Sequence, residues 1–275
     1  MVSGRRDHRL PLTLDKCWKE RFMQIQHEIS KLMFLGLLVA LIISGEAMRV
    51  DVAAAPVSKS CNPAVFLENV WQDLLGRAIT PGEKAPLLDF LDKGASQTQV
   101  AQIVLNSLEY RSKLTQNLYQ QYLRRAATQT EINFFLGAMQ QGATVEQIIA
   151  VIVGSTEYYQ NRGGGTNNGF LEQLYNDLLG RPIDNGGLAF FTDLLSHGAS
   201  RQQVALFILG SSEYRSIQIQ GFFKTFLDRE PIASELTFYL TLWQQGARRE
   251  QIIAQLIGSA EYCGLARRAP RGHRP

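Results

Sequence analysis

Four arginines and four Ser-x-Glu-Tyr segments are the residues of this 275-residue chain whose types and spacing invite a chemical reading. Arg77, Arg125, Arg181 and Arg229 stand 32 residues before Glu109, Glu157, Glu213 and Glu261. A guanidinium and a carboxylate can form a bidentate ion pair. Four copies of it read as a structural device that locks the ends of two helices together, because duplication repeats structure more readily than it repeats a catalytic centre. Removing one partner would cost roughly 3–5 kcal/mol if the pairs were buried and about 0–1 kcal/mol if exposed. The serine two residues before each Glu reads as the cap of the turn that carries Glu and Tyr. Other chemistry is sparse. Of four histidines, His197 alone falls in the body of the chain, directly before Gly198, where a helix-capping or dipole role suffices. No nucleophile stands in an elbow with a base to activate it. Residues 163–165 are a glycine run without the Lys-Ser/Thr of a phosphate loop. Asp184-Asn185-Gly186-Gly187 reads as an N-cap turn, since a calcium loop needs several oxygen ligands at set spacing. The expectation is no catalytic residue, no cofactor and no metal.

These residues must be held by elements that repeat with them. Gly-Ala occurs at Gly94, Gly142, Gly198 and Gly246, Glu-Tyr at Glu109, Glu157, Glu213 and Glu261, and both markers step by 48, 56 and 48 residues. Ser107, Ser155, Ser211 and Ser259 keep the same offsets, and residues 66–111 match 170–215 without a gap. A period of this size marks a helical-repeat array. The repeats are 66–111, 114–159, 170–215 and 218–263, paired in order into one domain over 63–161 and a second over 170–265. The eight extra residues fall within 161–169, where Gly and Asn tolerate positive φ, so 162–169 reads as the linker that sets the boundary.

Inside a unit the periodicity is helical. Phe66, Leu67, Val70, Trp71, Leu74 and Leu75 share one face, and Gly76 supplies a stop. A second helix opens at Thr80-Pro81-Gly82-Glu83 with a capping box, repeated as Thr128 with Glu131, and buries Leu87, Leu88, Phe90 and Leu91. A third is capped by Ser96 with Gln99, Thr144 with Gln147 and Ser200 with Gln203, while Arg248 stands at the fourth cap and should start its helix more weakly. Pro86 falls where the other units carry Phe134, Phe190 and Phe238, which predicts a kink and a smaller core in unit one. Trp71, Tyr119, Tyr175 and Phe223 share one aligned position and read as core. The fold class expected is all-α: two tandem helical domains, each of two repeats of three to four short helices.

Composition bounds the partners. Seven of the 28 Lys/Arg and five of the 25 Asp/Glu lie in residues 1–47, and four more arginines follow Ala266, which leaves a body of 17 positive and 20 negative charges. That is a poor footprint for nucleic acid, and Arg124-Arg125 and Arg248-Arg249 read as solvated surface. Leu32 to Ile43 is an uncharged apolar run between Lys31 and small residues, the length of a signal-peptide core and short of a membrane span. Residues 1–47 therefore read as a signal peptide, with an uncleaved membrane anchor as the alternative. Cleavage fits after Ala47, or after Ala55, where Pro56 argues against it, and translation starting at Met23 would shorten the leader. Residues 48–62 read as a linker and 266–275 as a disordered basic tail. Cys61 and Cys263 flank the repeats and could be bridged in an oxidising compartment, unless a long array holds its ends apart.

The segment Leu174-Tyr175-x-x-Leu178-Leu179-Gly180-Arg181-Pro182-x-Asp184-x-x-Gly187, followed by Gly198-x-Ser200 and Ser211-x-Glu213-Tyr214, resembles a bacterial domain-of-unknown-function family. That family recurs in tandem in secreted and surface proteins, some with RTX-type calcium repeats or S-layer features. Unit three matches best, and units two and four lack the Asp and its Gly. A weaker similarity, in the Tyr-x-x-Leu-x-Gly-Arg and Ser-x-Glu-Tyr-Arg segments, is to the helical domain of phycobilisome linker polypeptides, which scaffold other proteins. The resemblance implies no activity. The function expected is a non-catalytic secreted or cell-envelope protein that binds or scaffolds an unknown protein or surface polymer, touching a membrane only through an uncleaved leader. The rival readings are an enzyme or accessory domain acting on extracellular glycans, a structural calcium module, and a phycobilisome-linker-like scaffold.

Overall fold

Asn62 opens the first helix: its side-chain oxygen accepts from the backbone N–H of Ala64 at 2.9 Å, and Pro63 takes the first turn, where no N–H is needed. From here the computed structural model describes residues 61–266; the expected leader, most of the segment 48–62 and the basic tail lie outside the described residues. Fourteen helices and no strand occur among the described residues. Unit one contributes α1 (Pro63–Leu75), α2 (Pro81–Asp92) and α3 (Gln97–Leu105). α4 (Leu108–Leu123) carries the chain into unit two, followed by α5 (Gln129–Gln140), α6 (Val145–Val153) and α7 (Thr156–Asn161). Units three and four repeat the order as α8 (Asn167–Leu179), α9 (Asn185–Ser196), α10 (Arg201–Leu209), α11 (Ser212–Leu227), α12 (Ala233–Gln244), α13 (Arg249–Ile257) and α14 (Ala260–Ala266).

The helix starts follow their caps. Capping boxes form at Thr80, Ser96, Thr128, Thr144 and Ser200. Arg248 supplies no side-chain cap; only the returning arm from Gln251 reaches its backbone N–H, at 2.8 Å. Ser107, Ser155, Ser211 and Ser259 each accept from the backbone N–H of the Tyr three residues on. In units one and three, however, the serine opens a 16-residue helix that runs straight into the next unit.

Two expectations about the core are corrected. α2 runs on through Pro86, and its aligned counterparts Phe134, Phe190 and Phe238 are exposed, so the proline removes nothing from the interior. α2 buries no residue fully: Leu87, Leu88 and Leu91 are half-buried and Phe90 is exposed. The face Phe66, Leu67, Val70, Trp71, Leu74 and Leu75 is buried throughout, and so are Tyr119, Tyr175 and Phe223.

The domain division is also corrected. The described residues fall in one compact unit, and its two cores do not divide at 162–169. The central core runs from Leu118 to Tyr214, across the expected linker, and joins unit two to unit three. The terminal core joins residues 66–105 of unit one to 219–263 of unit four. Residues 162–166 are a packed turn and 167–169 already belong to α8: Gly164 and Gly165 have φ of 62° and 70°, and a Cβ on Gly163 would sit 2.8 Å from the Cα of Phe170. The glycines that read as flexibility in the sequence here shape the turn: Gly164 and Gly165 take its left-handed backbone, and Gly163 lets the chain close on Phe170. The central core is built on α6 against α10 and the terminal core on α3 against α13. Cys61 and Cys263 are disulfide-bonded, with Cα atoms 5.5 Å apart.

Candidate functional site

Each expected arginine reaches its expected glutamate. Arg125 Nε and Nη2 donate to Glu157 at 2.6 and 2.7 Å. Arg77 meets Glu109 at 2.5 and 2.6 Å, Arg181 meets Glu213 at 2.5 and 2.9 Å, and Arg229 meets Glu261 at 2.6 and 2.8 Å. The clamp is larger than the sequence reading. The capping-box glutamate of the second helix faces the same guanidinium: Glu83 with Arg77, Glu131 with Arg125, Glu235 with Arg229. One carboxylate thus caps the second helix of the unit and binds the arginine that ties it to the first turn of the fourth. Beneath it lies the aligned aromatic, with Arg125 4.9 Å over Tyr119, Arg181 5.2 Å over Tyr175 and Arg229 5.1 Å over Phe223. Unit three departs, because Gly187 replaces the glutamate and Arg181 has only Asp184, at 3.6 Å, as its second acid.

The electrostatics follow. The Arg125 guanidinium holds Glu131 down at about 2 in spite of partial desolvation. Arg77 holds Glu83 and Glu109 low, and Glu157, Glu213 and Glu235 are lowered in turn by Arg125, Arg181 and Arg229. Asp184 is lowered too, first by the Gly187 backbone N–H that it accepts at 2.9 Å as the cap of α9. These carboxylates are fixed anions at neutral pH, which suits a clamp and not a proton donor. No group of three His, Cys, Asp or Glu is placed to hold a metal ion among the described residues. His197 caps the end of α9, its ring 2.8 Å from the carbonyl of Asp193.

Of the pair expected to be solvated, Arg248 is exposed and Arg249 is not. Arg249 lies largely buried between the two cores, 3.0 Å from Gln218, 3.8 Å from Glu146 and 5.2 Å over the Phe222 ring. Arg248 donates to the carbonyl of Gly142 at 2.7 Å. Arg125 belongs to its clamp.

The surface feature that sequence reasoning missed is a repeated exposed phenylalanine on the second helix of three units: Phe134 is 64% exposed, Phe190 48% and Phe238 57%. Each rests edge-on against the next residue, Phe135, Phe191 or Tyr239, at 5.0–5.2 Å. In unit three Phe207, 60% exposed, lies 5.7 Å from Phe190 and widens the patch. The signal was partial: two adjacent aromatics in a helix lie about 100° apart around its axis and are both covered only on a broad buried face, as Phe222 and Phe223 are.

The described chain is all-α, and its clamps and caps tie neighbouring helices together. Residues 150–217 match the family profile of a domain of unknown function, DUF4214. The match begins in α6, crosses the packed turn and ends in α11, and so takes in the end of unit two and the whole of unit three. Comparison with curated proteins and with solved structures returned no match. No described helix is long and apolar enough to cross a membrane.

Proposed function

We propose that this is an exported, non-catalytic binding or scaffolding protein that presents a rigid array of apolar contacts to a protein or polymer of the cell surface. The observation that carries the reading is the aligned, solvent-facing Phe134, Phe190 and Phe238, each on a helix held by its own clamp or cap. Aromatic side chains are enriched among the residues that anchor interfaces, and here one recurs exposed at the same aligned position of three units. Support for export is the apolar run at 32–43 after Lys31, and a disulfide that persists only in an oxidising compartment. The lowered carboxylates speak against the glycan-hydrolysing alternative, which needs one acid with a raised pKa.

The test has two parts. Intact mass of the protein recovered from its host is expected to start near Met48, in the periplasm, envelope or medium; a full-length chain in the cytosol would sink the export reading. Sedimentation with washed envelopes is then compared between wild type and a Phe134→Ser, Phe190→Ser, Phe238→Ser variant. Binding should fall at least about tenfold, the loss of one buried aromatic anchor or more. Equal binding would remove these residues from the contact.

A further inference from the structure

The molecule has an internal two-fold repetition at an offset of 104 residues, and one of its two seams is not joined by the chain. At the central seam Tyr158 donates to Asp177 at 2.9 Å, and its ring meets Phe170 edge-on at 6.1 Å. At the terminal seam Tyr262 donates to Asp73 at 2.8 Å, and its ring meets Phe66 edge-on at 6.1 Å. Gly154 closes α6 so tightly on α10 that a Cβ there would lie 2.8 Å from the backbone N of Gln202. Gly258 does the same for α13 on α3, 2.7 Å from the backbone N of Thr98. The difference lies in connectivity. The central seam is spanned by the turn at 162–166, whereas at the terminal seam the covalent tie is the disulfide between Cys61 and Cys263, 202 residues apart.

We propose that the terminal seam is an exchangeable joint, through which the C-terminal unit of one chain seats on the N-terminal unit of a second copy of this chain. Every non-covalent contact by which unit four recognises unit one is independent of whether the two belong to one chain. The interface is already built, since it repeats the central seam within the same molecule. A contact between different surfaces at the two ends of a chain is heterologous, so exchange builds either a closed ring or an open row of molecules. Within one chain the local concentration of unit one favours closure, and raising the protein concentration favours exchange. The disulfide locks whichever partner is seated when it forms: two thiols are oxidised to one disulfide, and a disulfide oxidant such as oxidised glutathione is reduced to two thiols.

Two single-cysteine forms test this in a Cys17→Ser background, one carrying Cys61→Ser and the other Cys263→Ser. They are unfolded in reductant, mixed, refolded at low and high protein concentration, exposed to oxidised glutathione, and separated on a non-reducing gel. The expected product is a mixed dimer bridged from Cys263 of one form to Cys61 of the other. It should rise with concentration and exceed either same-site dimer by about tenfold, because the seam preorganises that pair of sulfurs alone. Adding Gly258→Ala to both forms should lower its yield, and Gly137→Ala, with open space around the new methyl, should not. Circular dichroism confirms that each form refolds. Three dimers in statistical ratio, or monomer at every concentration, would overturn the proposal.

Discussion

Arg125 spends all five of its N–H groups: one pair on Glu157, one pair on Glu131 and one bond on the carbonyl of Ala126. Its side chain and those of its partners are still about a third exposed, 35%, 28% and 33%, so water screens each charge pair. Removing the guanidinium leaves two carboxylates facing each other. Arg125→Ala is expected to cost about 1–2 kcal/mol, read from the urea midpoint, and Arg181→Ala less, since Arg181 holds one close carboxylate. The acid side gives a second check on Glu131. Its folded value, about 2, lies below the ordinary carboxylate range, so its contribution is complete above the unfolded value and fades as pH falls through about 2. The melting-temperature gap between wild type and Glu131→Gln should be full at neutral pH and close towards pH 2. A gap independent of pH would mean that the glutamate acts through packing alone. At this scale the Arg-to-Glu pairing was legible from constant spacing. The second carboxylate was not, because a capping box already accounts for Glu131 and nothing in the sequence shows which way its free oxygen faces.

Helix ends were legible for a similar reason: a cap is a local event, settled by residues three apart. The pairing of elements was not. Matching at an offset of 104 says that units one and three are alike, and is silent on which unit packs against which. Gly and Asn at 161–169 have the composition of a tether and equally of a tight turn; only the approach of Phe170 to Gly163 separates the two. Two glycines measure this difference within the helical layer. Gly137 lies inside α5 with nothing within 4 Å of a new Cβ, so Gly137→Ala should stabilise the protein by about 0.5–1 kcal/mol. Gly154→Ala places a methyl 2.7 Å from the carbonyl of Ala150 and 2.8 Å from Gln202 N, and should destabilise by about 1–3 kcal/mol. Thermal melts of both variants check the sign, and a stabilising Gly154→Ala would show that the α6–α10 seam has room to open.

At the scale of the whole molecule, the two cores differ in what holds them. The central one is a run of consecutive chain, and the terminal one is drawn from its two ends. Closing a loop of about 200 residues removes up to about 5 kcal/mol of unfolded-state freedom. Reduction is therefore expected to lower the denaturant midpoint strongly, and to deprotect amides of 66–105 and 219–263 in hydrogen exchange before those of 118–214. Uniform deprotection would mean that the two cores melt as one.

The split core also sets a timetable for synthesis. The apolar faces of α1 and α3 are made early, while the late helices that pack on them, α14 on α1 and α13 on α3, are among the last described elements of the chain. At a ribosomal pace of about 5–20 residues per second, the first unit waits roughly 8–30 seconds without its partner while the central units are completed around their own interior. A nascent chain in that state presents a greasy helix to whatever is nearby. Until its two ends meet, that face is the segment of the chain most open to aggregation.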